Sequence, residues 1–216
     1  MCSYCGDLPE TRDHVPSRIL LDEPYPENLP VVPCCLKCNL ELSADEEYFA
    51  CAIECLIHGT TEIQKLRRDK IKTILIRKEL LRQSLRKAFI QEKGEIRFKI
   101  DSDRFKKVII KLAKGHVKYE NSEPMLKIPT TIWIKPIISM TELELDHFFK
   151  ETEIDKAAEV GSRALSQMLI NANKTPISHW TIVQENNYQY SVEVSLGRVN
   201  VKILIWNYLA IVVSWL

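Results

Sequence analysis

The apolar positions of this chain change period several times, and the changes mark out its elements. Residues 11–15 and 29–32 are short extended stretches separated by a loop that holds Pro24, Pro26 and Pro30. Pro16 bars Val15 from helical geometry, so the first strand is expected to end at His14. A helix is predicted from near Lys37 to His58-Gly59, with Tyr48, Phe49, Ala52, Ile53 and Leu56 at helical spacing. Ser43 with Glu46 fits a capping box: either the helix restarts there, or Ser43 is an early helical residue.

Residues 60–93 read as one long helix, with Leu66, Ile71, Leu75, Leu81 and Leu85 on an apolar face and a run of Lys and Arg opposite. A strand is expected over 95–100. A helix with core residues Phe105, Val108, Ile109 and Leu112 should follow and end at Gly115. Strands are expected near 117–120 and 126–138. Thr141 with Glu144 opens a short helix through Phe149, and another helix is expected over 154–171. Four antiparallel strands are predicted at 178–184, 188–196, 199–206 and 208–215. The tail from 199 to 216 is apolar, but it is short for a membrane span. Lys202 and Asn207 interrupt it, so it reads as paired buried strands. The expected class is α+β, in three parts: 1–59, a connecting helix over 60–93, and an accessory α+β unit over 94–216 with antiparallel strands.

Charge changes this picture. The 216 residues carry a net +1, unevenly spread. Residues 1–60 hold eleven acids against three Lys and Arg, whereas 61–93 hold eleven Lys and Arg against four acids. A basic segment beside an acidic one points to a polyanion as partner more than the near-neutral total does. Arg67, Arg68, Lys70, Lys72, Arg77 and Lys78 are the candidate phosphate contacts; the alternative is a solvated charged face.

All seven cysteines lie in the first 55 residues, at 2, 5, 34, 35, 38, 51 and 55. Cys2-x-x-Cys5 and Cys35-x-x-Cys38 are matched pairs, each with the bite of a tetrahedral zinc knuckle. Cys34 is the odd neighbour, since either it or Cys35 can ligate; Cys35 keeps the Cys-x-x-Cys spacing. Cys51 and Cys55 fall on the helical stripe and read as buried free thiols. No signal peptide is expected, since the knuckle begins at residue 2. With thiols suited to metal rather than disulfides, a cytoplasmic location is expected.

Between the knuckles lie Asp13-His14 and Asn28, and Asn39 directly follows Cys38. This set resembles the HNH endonuclease family, with its ββα-metal fold and structural zinc knuckles. The likeness covers residues 2–39, and more loosely runs to about 56. It implies His14 as general base, and Asp13 and Asn39 as holders of a single divalent cation, Mg²⁺ or Mn²⁺. It implies Asn28 as the residue that pins the loop and fixes the His14 ring. Structural Zn²⁺ on Cys2, Cys5, Cys35 and Cys38, and DNA as substrate, come with it. Arg12 either contacts phosphate or pairs with a local acid. Bacterial HNH proteins of this kind often serve mobile elements or antiphage defence, a role the resemblance suggests. Residues 60–216 offer surface for a homodimer or a partner protein. The competing function is a non-catalytic zinc-scaffold module or adaptor subunit.

Overall fold

The computed structural model describes residues 1–92, 95–150, 163, 180–195 and 197–216. The helix expected over 154–171 lies outside the described residues, apart from Arg163. The elements begin with β1 (Thr11–His14), β2 (Val31–Cys34) and α1 (Leu36–His58). Next come α2 (Asp69–Arg77), α3 (Glu79–Ala88), β3 (Phe89–Glu92), β4 (Glu95–Phe98) and α4 (Ser102–Asn121). The chain continues with β5 (Thr131–Pro136), α5 (Glu142–Phe149), β6 (Thr181–Gln184), β7 (Tyr188–Ser195), β8 (Arg198–Ile205) and β9 (Leu209–Trp215). The class is α+β with antiparallel sheets, as expected. The chain clusters into two compact units, Met1–Asn39 with Ile109–Leu216, and Leu40–Val108. These divisions fall elsewhere than at 59 and 93, because α1 and α4 each contribute residues to both units.

In the unit Leu40–Val108, α1 is unbroken through Ser43 and buries every residue from Tyr48 to Cys55. Cys51 and Cys55 are free buried thiols there. Phe105 of α4 packs on Phe49, with ring centroids 4.7 Å apart. The expected single helix over 60–93 is corrected: α2, α3 and β3 occupy this stretch, preceded by a 3-10 turn over Ile63–Lys65. Two side chains of α1 bear on this. Buried Glu54 accepts the backbone N–H groups of Arg67 and Arg68 at 2.6 and 2.9 Å, which takes those donors out of a helical ladder. Lys78, whose ammonium pairs with Glu47, sits at φ −111°, ψ 70° and separates α2 from α3. Phe89 then leaves the helix to face Phe98 across the β3–β4 hairpin, ring to ring at 4.7 Å.

In the unit Met1–Asn39 with Ile109–Leu216, the five-stranded sheet runs β5-β9-β8-β7-β6, every neighbour antiparallel. The apolar tail supplies β8 and β9, two inner strands with Val201, Ile203, Ile205, Ile211 and Val213 buried. No helix among the described residues is long and apolar enough to cross a membrane. The predicted capping box is formed: Thr141 Oγ1 accepts from the Glu144 N–H at 3.3 Å and opens α5. A second correction concerns Gly115, which does not end α4; the stretch expected as a strand at 117–120 is helical. A Cβ at Gly115 would meet Val15 Cγ2 at 2.6 Å, so the glycine serves the close approach of helix to hairpin. The helix ends instead before Ser122, in the left-handed region at φ 65°.

One turn face of α4 also buries His116. Its ring stacks on Tyr190 at 3.7 Å, and Nε2 lies 2.8 Å from the Tyr188 hydroxyl, while Nδ1 has no partner among the described residues. Complete burial drives the imidazole down to about 3 from its ordinary 6.5. Between these values the unfolded chain binds a proton that the fold excludes. The stability tied to the neutral ring is intact above pH 6.5 and is lost as pH falls toward 3. Urea titrations from pH 7 to 4 are expected to lose on the order of 1 kcal/mol per pH unit to this group below 6.5. In His116→Phe, which keeps the stack on Tyr190, the slope should be shallower; identical slopes would contradict the assignment.

Candidate functional site

The first knuckle is a tight turn. Cys2 N–H donates to the Asp7 carbonyl at 2.6 Å, Gly6 N–H donates to the Cys2 carbonyl at 3.1 Å, and Gly6 turns the chain at φ 89°. Ser3 binds it to β2, its N–H and its hydroxyl both donating to the Pro33 carbonyl at 2.9 and 2.8 Å. The second knuckle begins just before α1, where the Cys38 N–H points at Cys35 Sγ at 3.4 Å. The sulfurs of Cys2, Cys5, Cys35 and Cys38 all lie within 4.8 Å of one another. Cys5 and Cys35 are 3.7 Å apart, too far for a disulfide. A tetrahedral ion with metal–sulfur bonds of about 2.3 Å sets its sulfurs roughly 3.8 Å apart. The cluster could therefore hold a metal ion such as zinc.

Electrostatics agree. Burial opposes ionisation of Cys2, but the backbone N–H groups of Cys35, Tyr4 and Cys5 outweigh it and bring the thiol down to about 6. At Cys5 the Asp7 N–H favours the thiolate, yet burial and the sulfurs of Cys2 and Cys35 push it up to about 11. Burial and the neighbouring sulfurs push Cys38 up as well. One thiolate thus forms readily and the next ones are opposed, until a cation shares the space. Cys34 stands outside the cluster. Its Sγ–H donates to the Cys35 carbonyl, and burial, followed by the charges of Cys2 and Asp13, pushes it up to about 12.

The hairpin β1–β2 pairs Thr11 with Cys34, Arg12 with Pro33, Asp13 with Val32 and His14 with Val31. Alternation along β1 puts Thr11 and Asp13 on one face, and Arg12 and His14 on the other. Asp13 is buried. Its Oδ2 accepts from the Tyr4 hydroxyl at 2.7 Å and pairs with the Lys111 ammonium of α4 at 2.8 Å. Both bonds use Oδ2, and among the described residues Oδ1 has no side-chain partner. Asn39, one turn into α1, donates through Nδ2 to Thr11 Oγ1 at 3.3 Å. Thr11 in turn donates to the Cys34 carbonyl at 2.9 Å, so Asn39 is tied to the Asp13 face of β1. Glu10 Oε2 accepts the Leu36 N–H at 3.1 Å and caps the start of α1.

His14 is half-buried. Burial first, then the charge of Arg18, lowers its pKa, with Asp13 opposing; the ring is neutral at neutral pH. Arg12 is exposed and pairs with no acid among the described residues. It lines a groove of about 710 Å³ with Pro9, Glu10, Val31 and Pro33. Asn28 is exposed in the turn before β2 and makes no hydrogen bond to His14 among the described residues. Backbone bonds hold that loop instead, from Leu29 N–H to the Pro26 carbonyl and from Val15 N–H to the Pro30 carbonyl.

The basic candidates of 60–93 do not form one stripe. Arg68 is buried beside Glu54 at 3.6 Å, Lys72 pairs with Asp69 at 2.8 Å, and Lys78 pairs with Glu47. Lys70 is half-buried, whereas Arg67 and Arg77 are exposed. Sequence reasoning passed over Tyr4 and Lys111. The available signal was a lysine inside the apolar run Val108-Ile-Ile-Lys-Leu-Ala of α4. Comparison with family models, curated proteins and solved structures finds no match to this chain.

The geometry separates the two adjacent cysteines. Metal analysis of purified variants should find Cys35→Ser depleted of bound metal and Cys34→Ser retaining the content of the parent. Equal retention in both would overturn the ligand set.

Proposed function

We propose that the chain is a metal-dependent endonuclease of the HNH type that hydrolyses DNA phosphodiester bonds, with Zn²⁺ on Cys2, Cys5, Cys35 and Cys38 as its scaffold. One observation carries the reading. A two-stranded hairpin bearing Asp13-His14 is closed by a four-thiol cluster and followed by a helix whose Asn39 reaches back to Thr11 on β1. The donor set suits a hard cation: one carboxylate with an oxygen left by its described protein partners, and the carboxamide of Asn39, which Thr11 holds on the Asp13 face of β1. Asp13 Oδ1 and Asn39 would hold Mg²⁺ or Mn²⁺. When bound, the ion supplies charge stabilisation for the phosphate and the departing oxygen.

The chain's own residues do the rest. His14 is the last residue of β1, shortly before Pro16, and the step requires its ring to turn from the Arg12 face toward the cation on Asp13. A neutral imidazole nitrogen accepts a proton from water, the oxygen of that water bonds to phosphorus, and the bond from phosphorus to the sugar oxygen breaks. Arg12, exposed on the His14 face, holds a phosphate of the strand. Arg67 and Arg77, exposed and without an acid partner among the described residues, serve for backbone contact. A second reading, a zinc-held module without catalysis, draws on the Lys111 ammonium already paired with Asp13.

The two readings part in a cleavage assay on supercoiled, linear and single-stranded DNA with Mg²⁺, Mn²⁺ or Ni²⁺. The parent protein should cut, and His14→Ala should lose about 100-fold or more of the rate while keeping its zinc. Full cleavage by His14→Ala would sink the assignment, and a parent protein that never cuts would favour the binding module.

A further inference from the structure

Helix α4 lies about a hundred residues downstream of the hairpin in sequence, yet three of its residues at helical spacing are shaped to it. Lys111 Nζ pairs with Asp13 Oδ2 at 2.8 Å. Lys114 Nζ donates to the Tyr4 carbonyl at 3.2 Å. Gly115 has no side chain where a Cβ would strike Val15 at 2.6 Å. Positions 111, 114 and 115 share one helix face. Tyr4 closes the circle: its hydroxyl donates to the same Asp13 oxygen at 2.7 Å, and Lys111 lies 5.6 Å from the centre of its ring.

The ion pair is withdrawn from water, with the side chains 3% and 11% exposed. A buried charge pair adds little net stability compared with apolar packing, so its presence calls for another reason. Its geometry offers one. Two donors on Oδ2 fix the rotation of the carboxylate, and among the described residues Oδ1 has no side-chain partner and is the oxygen left for a cation. A carboxylate held in this way meets an ion without first being ordered.

We infer that Lys111, with Tyr4, is a positioning residue that fixes Asp13 so that Oδ1 faces the divalent cation of the nuclease site. The inference rests on the function proposed above, and it gives the region after residue 94 a part in the site.

The test uses the full-length, zinc-loaded protein and Mn²⁺ alone, with free Mn²⁺ read by its electron paramagnetic resonance signal. The parent should bind one Mn²⁺, and Asp13→Ala should bind none. Lys111→Met should bind about 10- to 100-fold more weakly while keeping its zinc. Should that variant fail to fold, Tyr4→Phe, which removes one neutral donor to the same oxygen, is expected to weaken Mn²⁺ about threefold to tenfold. A folded variant that melts earlier but binds Mn²⁺ as the parent does has lost only a structural contact, and this overturns the positioning role. Tighter binding overturns it too, since Lys111 would then be a competitor of the ion. A zinc-loaded parent that binds no Mn²⁺ overturns the divalent site itself, and the inference falls with it.

Discussion

Four sulfurs confined within 4.8 Å set the condition on which the rest of the hairpin unit depends. Backbone N–H groups favour one thiolate at Cys2, and the crowded neighbours Cys5 and Cys38 are driven the other way. A cation among them removes the conflict and fastens the first knuckle to the start of α1. The loop of about thirty residues between the knuckles is then closed at both ends, and the two short strands inside it gain a fixed register. Four-residue strands in a lone hairpin are marginal in water. Here the cysteine cluster, the small core of Val15, Val32 and Tyr4, and helix α4 take the place of further strands.

From that closure follows the arrangement of the polar groups. Strand alternation sends Asp13 inward and His14 outward. The inward carboxylate needs partners, which Tyr4 and Lys111 supply. The outward ring stays half-buried and neutral. Asn39 falls back onto β1 because the second knuckle starts α1 only two residues after β2 ends. Each position is a consequence of where the thiols hold the chain, which is why a short run of residues presents so much chemistry.

Much of this was legible in the sequence, for local reasons. The Cys-x-x-Cys pairs, Pro16 after His14, and Thr141 with Glu144 act within a few residues, and the structure follows them. The last strands were legible because their apolar, β-branched runs are bounded by clear turns. The failures lie where distant groups decide. Glu54 captures the N–H groups of Arg67 and Arg68, and no periodicity within 60–93 announces it. Gly115 looks like a helix stop until Val15 is seen against it. Lys111 looks like a surface charge until Asp13 is found beside it. The exposed Asn28 shows the opposite limit, since a motif position carries weight only when the fold brings it to its partner.

Crystals of the full-length protein grown with Mn²⁺ and measured at the zinc and manganese absorption edges test the central claim most directly. The expected result is a zinc peak at the centre of Cys2, Cys5, Cys35 and Cys38, with sulfurs at about 2.3 Å. A separate manganese peak should lie beside Asp13 Oδ1 and Asn39. A zinc peak that involves Cys34, or manganese density that avoids Asp13 altogether, would contradict it.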